Sequence, residues 1–364
     1  MRIALSTGGG DAPGLNAVIR AATLAARRRG WDVVGIRDGF NGLMFPDQYP
    51  EGGLIQLDAK AVAGISHLGG TILGSTNRGN PSHYPVSHAN GTMTYVDRTA
   101  ELVGKFRAAG IDALVTIGGD GSLSIGLRLQ EQGLRVVGVP KTIDNDLDKT
   151  QVTFGFNTAV EIATESIDRL FTTATSHSRV FVVEVMGRYA GWIALYAGVA
   201  AGAHAILIPE IPFDFASVAA CIERREARGS HFAIVVVAEG AAPKDGHREV
   251  LATSIDQGER LGGIGHVVAS ELTRLTGKEA RTVVLGHLVR GGTPTATDRL
   301  LGNRFGAAAV RALDEGMDGV MVALNGPNVE YVSIAEAVGS LRTVPMDCDT
   351  LLAARELGIN FGDD

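Results

Sequence analysis

Two cysteines, Cys221 and Cys348, are all that the 364 residues contain, and their spacing is not that of metal ligands. Disulfide or zinc scaffolding is therefore not expected to organise this chain. Long hydrophobic runs are also scarce. The most apolar stretch, "LYAGVAAGAHAILIP" (195–209), is interrupted by His204 and falls short of the roughly 20 residues a spanning helix needs. The opening "MRIALSTGGG" is too short in its apolar run for a signal peptide. No long basic block occurs and the net charge is −7, so neither nucleic acid nor an anionic membrane is an expected partner. No Pro/Ser-rich linker and no short internal repeat divides the sequence. These absences leave a cytoplasmic enzyme as the expectation. If its substrate is an anion, positive charge must be gathered locally.

Glycine is what the chain has in plenty. Its 48 glycines exceed the usual share of roughly 7% and gather where strands end, which points to tight turns and backbone-lined ligand sites. Hydrophobic content of 45% and charged content of 20% are those of a globular protein, and the length suffices for two domains or one large one. Short β-branched runs predict strands over 2–7, 32–36, 113–118, 135–140, 179–186, 205–210, 232–239, 281–286 and 320–324. Between them, apolar Leu15, Val18, Ile19, Ala22 and Ala26 line one helical face that Gly30 stops. Further helices are expected over 98–109, 122–132, 156–174, 258–276 and 296–315. Nearly continuous apolar strands alternating with helices indicate an α/β protein with mainly parallel sheets covered on both faces. In such sheets ligands bind beyond the carboxyl ends of the strands.

The polar clusters fall just there. "TGGGDAPGLN" (7–16) lies between a strand and a helix, where glycine N–H groups and the helix N-terminus can receive a phosphate; a plain tight turn would read the same. "IGGDGS" (117–122) repeats the arrangement with Asp120, which would repel phosphates unless Mg²⁺ intervened, or would simply cap the helix. "VPKTIDNDLDKT" (139–150) delivers Lys141, Thr142, Asp144 and Asp146 to one strand end. A carboxylate there can accept a proton from an attacking hydroxyl, although a solvated Asx-rich turn is the alternative. Arg179, Arg188, Arg281 and Arg290, with His287, flank two core strands and together suggest an anion site. Glu239, ending "VVVAEG", would suit a sugar hydroxyl.

Taken in order, "GGGDAPGLNAVIRA", "GGTILGS", "IGGDGS", "PKTIDND", "VEVMGRYAGW", "AEG" and "TVVLGHLVRGG" resemble the 6-phosphofructokinase family from residue 3 to about 310. The resemblance implies two Rossmann-like lobes with the active site between them. It places a donor-nucleotide and Mg²⁺ lobe at 1–155 plus about 289–339, and a sugar-phosphate lobe at about 156–288 plus 340–364. It implies the glycolytic phosphorylation of fructose 6-phosphate at the 1-hydroxyl. Asp144 would be the general base, Thr142 and Lys141 would lie along the transferring phosphoryl group, Asp120 would hold Mg²⁺ and Asp146 would support it. Gly9, Gly10 and Gly118, Gly119, Asp120, Gly121 and Ser122 would line the donor phosphates. Met186, Gly187, Arg188, Glu239, His287 and Arg290 would form the sugar-phosphate site. Arg179 and Arg281 would reach into it from a neighbouring subunit, which implies a homo-oligomer, a tetramer in the family's usual form. After "GGTILGS" the family carries an arginine where direct register puts Asn77; Arg78 serves if the loop shifts by one.

The donor is read from two positions. Pyrophosphate-dependent members carry aspartate after "GGD" and lysine in "PKTIDND", whereas ATP-dependent members carry glycine at the first and often at the second. This chain mixes Gly121 with Lys141. A side chain at 121 would crowd the α-phosphate of ATP, so Gly121 favours ATP, with pyrophosphate as the alternative. On the first helix Arg20 is kept, but Leu24 stands where a second effector-binding arginine is expected and Phe171 replaces another basic residue, which implies weak or absent control by ADP or phosphoenolpyruvate. Two other readings compete. An NAD or lipid kinase would use "GGDG" but leaves "PKTIDND" and "GHLVRGG" without a role. A non-catalytic nucleotide or sugar-phosphate sensor would have no need of a proton acceptor.

Overall fold

The structure, a computed structural model, describes residues 1–88, 92–246, 248–254 and 258–364. The chain folds into two compact units, the first comprising 1–143, 147–155 and 291–341, the second 144–146, 156–290 and 342–364. The first unit begins with β1 (Arg2–Thr7), α1 (Leu15–Arg28), β2 (Asp32–Ile36), α2 (Asn41–Met44), β3 (Leu54–Gln56), β4 (Tyr84–Ser87) and β5 (Met93–Val96). It continues with α3 (Thr99–Ala108), β6 (Ala113–Gly118), α4 (Asp120–Glu131), β7 (Arg135–Thr142) and β8 (Phe154–Gly155). The second unit supplies α5 (Phe156–His177), β9 (Val180–Val185), α6 (Trp192–Ala200), β10 (Ala205–Leu207), α7 (Phe215–Ala227), β11 (Ala233–Ala238), β12 (Val250–Ser254), β13 (Gly258–Leu261), α8 (Ile264–Thr276) and β14 (Ala280–Val284). The chain then returns to the first unit with α9 (Ala296–Asp314), β15 (Val320–Asn325), β16 (Asn328–Ser333) and α10 (Ile334–Ala337), and ends in the second with α11 (Asp349–Glu356).

The first unit is built on an eight-stranded sheet in the order β16-β15-β7-β6-β1-β2-β3, with β8 beside β7. Its central strands pair in parallel, whereas β3 and β16 run antiparallel at the edges. Strands β1 and β6 are buried almost throughout, as their mainly apolar sequences require when helices cover both faces. Helix α1 buries Leu15, Val18, Ile19, Ala22 and Ala26 completely, so its sequence stripe is the packed face. It lies close against α9, where a Cβ on Gly306 would come within 2.5 Å of the Val18 carbonyl oxygen.

The second unit carries an all-parallel four-stranded sheet, β10-β11-β9-β14. Three helices there, α6, α7 and α11, lie outside the ranges expected from the sequence. Helix α6 is apolar all round and buries Trp192, Ile193, Ala194, Leu195, Ala197 and Gly198, so it has no polar face to mark the 3.6-residue repeat. Helix α7 starts at the Asp214 cap, whose carboxylate accepts the Ala216 N–H. The helix expected over 258–276 is shorter. Gly258–Leu261 form β13, and Gly262 and Gly263, with φ of 138° and 94°, break the chain before Ile264. Buried Glu184, on β9, then accepts the Gly263 and Gly265 N–H groups at the start of α8. Among the described residues no helix is long and apolar enough to cross a membrane.

Candidate active site

In the first unit the carboxyl ends of β1, β6 and β7 converge on a glycine cradle. Gly8 donates its N–H to the Ile117 carbonyl and Gly9 to that of Thr76, while the Ser75 hydroxyl donates to the Gly9 carbonyl. Gly9 has φ of 77°, which a side chain would strain. A Cβ on Gly8 would meet the Ser122 hydroxyl at 2.5 Å, so the two loops approach closely there, and one on Gly118 would meet Ser122 of its own loop at 2.2 Å. Lys141 is 4% exposed, and its ammonium donates to the Gly10 carbonyl, which places a positive charge against the cradle. Strand β7 runs two residues further than its apolar run suggests, because Lys141 and Thr142 pair with β8.

Asp120 is the first residue of α4, exposed, and not its cap. Gly119 caps the helix without a side-chain bond, so the carboxylate is not used for capping. Among the described residues no cluster of three or more His, Cys, Asp or Glu side chains could hold a metal ion. One exposed carboxylate beside a glycine cradle nevertheless suits Mg²⁺, which keeps several waters and binds through one or two carboxylates plus substrate phosphates.

A cavity of about 210 Å³ opens beside the cradle. Gly8, Gly9, Gly121 and Ser122 line one part, and Phe40, Asn41, Pro81 and Ile125 add apolar and amide surface beyond them. Asn77 and Arg78 both face this cavity, so either register of that loop brings a polar side chain to it. A Cβ added to Gly121 meets nothing within 4 Å.

In the second unit, loops after three adjacent strands interlock. Met186, Gly187 and Arg188 follow β9, Glu239 follows β11, and His287 and Arg290 lie just after β14. Glu239 donates its N–H to the Val185 carbonyl and Gly240 to that of Gly187. Gly187, at φ of 141°, is in a conformation open to glycine, and a Cβ on Gly240 would come within 2.0 Å of the Arg188 carbonyl oxygen. The Arg188 guanidinium lies over the Tyr189 ring at 4.9 Å, and its buried Nε has no hydrogen-bond partner among the described residues. A buried donor left unpaired costs about 1–3 kcal/mol, which an incoming anion would offset.

Asp144, Asn145 and Asp146 belong to this second unit although the residues on either side belong to the first. Asp144 lies near enough to Glu239 to act on its ionisation. Burial, then the Asp144 charge, push the Glu239 carboxyl up to about 7, against smaller lowering effects from the Gly187 N–H and Arg290. Glu239 is therefore protonated in the folded chain between about 4.5 and 7, where an unfolded glutamate is ionised. The stabilisation from that extra proton is complete below pH 4.5 and is lost as pH rises through 7. Glu239→Gln should melt with wild type near pH 5 and a few degrees above it near pH 8.5. Equal melting temperatures at both pH values would contradict the shift.

One grouping does not hold. Strands β9 and β14 are parallel neighbours, with Arg281 opposite Phe181. Arg179 and Arg281 therefore sit at the amino end of the sheet and Arg188, His287 and Arg290 at the carboxyl end, about 20 Å away at the ~3.3 Å rise of a strand residue. The four arginines flanking these strands are thus two separate pairs. Arg179 and Arg281 both pair with Glu279. Phe171, at the position where the resemblance implies a basic effector contact, packs against the rings of His204 and Phe232.

The sequence profile of the phosphofructokinase family matches residues 2–313. The chain belongs to the phosphofructokinase family. Its relatives include a protein named ATP-dependent 6-phosphofructokinase from Chloroflexus aggregans, 51% identical over 363 residues, covering 100% of this chain and 98% of the relative. They also include a pyrophosphate–fructose 6-phosphate 1-phosphotransferase from Streptomyces coelicolor, 49% identical over 366 residues and covering all of both chains. A solved phosphofructokinase from Saccharomyces cerevisiae superposes with a TM-score of 0.78 at 30% identity, covering 93% of this chain. This chain spans 45% of the yeast chain's length. Two family members of different donor are thus almost equally similar, and overall identity does not choose between donors. Sequence reasoning missed a buried carboxylate, Glu184, and a half-buried one, Glu210, in the second unit. Glu184 holds the start of α8 from inside an apolar strand, and Glu210 accepts the Gly191 and Val344 N–H groups.

Proposed function

We propose that the protein transfers the γ-phosphoryl group of MgATP to the 1-hydroxyl of fructose 6-phosphate, giving fructose 1,6-bisphosphate, in the cytoplasm. The observation that carries the choice of donor is Gly121. It lines the cavity with open space where a side chain would project, and the surface beyond it, Phe40, Asn41 and Pro81, is suited to a nucleoside that pyrophosphate lacks. Pyrophosphate is the second reading, favoured by buried Lys141 against the cradle.

The first unit is the donor unit in this reading. The 8–10 and 118–121 loops, whose glycines let phosphates approach the backbone closely, receive them with Ser122 and Arg78, and Lys141 and Thr142 steady the transferring group. Asp120 would hold Mg²⁺, supported by Asp146; the ion supplies neutralisation of the donor's phosphate charge. The second unit is the acceptor unit. Asp144 accepts the proton of the 1-hydroxyl as that oxygen attacks. Glu239 takes sugar hydroxyls, and Arg188, Arg290, His287, Met186 and Gly187 hold the sugar phosphate. Arg188→Met should raise the KM for fructose 6-phosphate about tenfold or more with a smaller change in kcat, because a charge-assisted bond contributes about 1.5–3 kcal/mol. An unchanged KM would remove Arg188 from the site.

Arg179 and Arg281 serve a neighbouring copy's sugar phosphate in this reading, in a homo-oligomer, as a tetramer. Sedimentation at assay concentration should show an oligomer, and fully active monomers would refute the shared site. The decisive assay for the donor is initial rates of the purified protein with fructose 6-phosphate and either MgATP or pyrophosphate. MgATP should be faster by a wide margin; turnover with pyrophosphate alone would overturn the choice.

A further inference from the structure

The segment that carries Asp144 is held from a distant part of the chain. Asn145, its neighbour, is 2% exposed and has φ of 54°, a left-handed conformation that asparagine tolerates but seldom adopts without support. Arg342 donates to two successive carbonyls here. Its guanidinium Nη1 reaches the Asn145 carbonyl at 3.1 Å, and its backbone N–H reaches that of Asp146 at 2.9 Å.

Residue 342 is itself fixed at both ends. The Trp192 indole N–H donates to its carbonyl at 2.9 Å, and its guanidinium lies 4.3 Å from the centre of the same ring. Two residues on, the Val344 N–H donates to the Glu210 carboxylate at 2.8 Å. That carboxylate also accepts the N–H of Gly191, which caps the helix of Trp192. Burial raises the Glu210 carboxyl, and the two N–H donors work against that rise. The result is a chain of contacts, Glu210 to 344, 342 to Trp192, and Arg342 to the turn beside the base.

We propose that Arg342 is a positioning residue that holds the Asp144–Asp146 turn so that the Asp144 carboxylate meets the acceptor hydroxyl. The role rests on the reading of Asp144 as general base. It acts through the backbone beside Asp144, so its loss should lower turnover without weakening sugar-phosphate binding. Arg342→Met keeps length and can still lie on Trp192, but it cannot donate to Asn145. Arg342→Lys restores a donor and a cation over the ring.

The test is steady-state kinetics and melting of both variants in the full-length protein, with MgATP and fructose 6-phosphate. A misplaced reacting group can cost up to 10²-fold, and a partial loosening should lower the kcat of Arg342→Met about tenfold, with KM within about twofold. Arg342→Lys should recover most of that loss at a melting temperature equal to that of Arg342→Met. Added to Asp144→Asn, Arg342→Met should cause no further fall, because both changes act on one group. Trp192→Phe, which keeps a ring but deletes the indole donor, is the milder variant and should show the same kcat-only pattern at about threefold. Unchanged kcat in Arg342→Met or Trp192→Phe, equal damage from the lysine and methionine variants, or KM rising as kcat falls would each overturn the role. If Asp144→Asn retains full turnover, the base itself is wrong. If it collapses while Arg342→Met is indifferent, only the positioning role is lost.

Discussion

Asp144→Asn is expected to reduce kcat by about 10²–10⁴-fold, the range a positioned base contributes, while fructose 6-phosphate binding stays within about twofold. The substitution keeps the side chain's size and its hydrogen-bonding reach but removes the ability to take a proton. The change should also act on Glu239. Removing the Asp144 charge takes away the second-largest cause of that group's raised pKa, so Glu239 should titrate lower in the variant, with burial still holding it above the usual range. Calorimetric binding of the sugar phosphate, paired with single-turnover rates, separates the two effects. Turnover unchanged from wild type would remove Asp144 as the base.

Gly121→Asp carries the second large effect. Gly121 lies in the first turn of α4 and faces open space, so the new side chain has room and an acid there suits the helix start. Its melting temperature should therefore equal or exceed that of wild type. The donor is another matter, because the new carboxylate would stand in the cavity lined by Gly8, Gly9 and Ser122, beside Asp120. Like charges brought together cost several kcal/mol, so kcat/KM for MgATP should fall about 10²-fold or more. Pyrophosphate has no α-phosphate and no nucleoside to crowd, so its rate should be spared and the order of donors reversed. A variant that keeps its ATP preference would show that position 121 does not select the donor.

The core strands were legible because β1, β6, β9 and β11 are mainly apolar runs, with a glycine in the strand or within two residues of its end. The edges were not. Strand β3 has three residues and β16 alternates half-buried with exposed positions, so neither shows a run. The cradle residues could be read from their place after strands, since strand-to-helix loops of this class carry ligand sites. What failed was grouping. Arginines on either side of the same strands look adjacent in sequence, and only the parallel pairing of β9 with β14 shows that the strand's length separates them. Arg342 and Glu210 were invisible for a related reason. Their partners lie 197 and 134 residues away, and neither stands in a glycine-rich loop or beside another charge cluster.

The central claim, transfer of a phosphoryl group from ATP to the primary hydroxyl of fructose 6-phosphate, is tested most directly by phosphorus NMR of the wild-type reaction mixture. Equal growth of ADP and of a second sugar phosphate ester on the 1-carbon is the predicted spectrum. Orthophosphate in place of the ester, or no reaction until pyrophosphate is added, would contradict it.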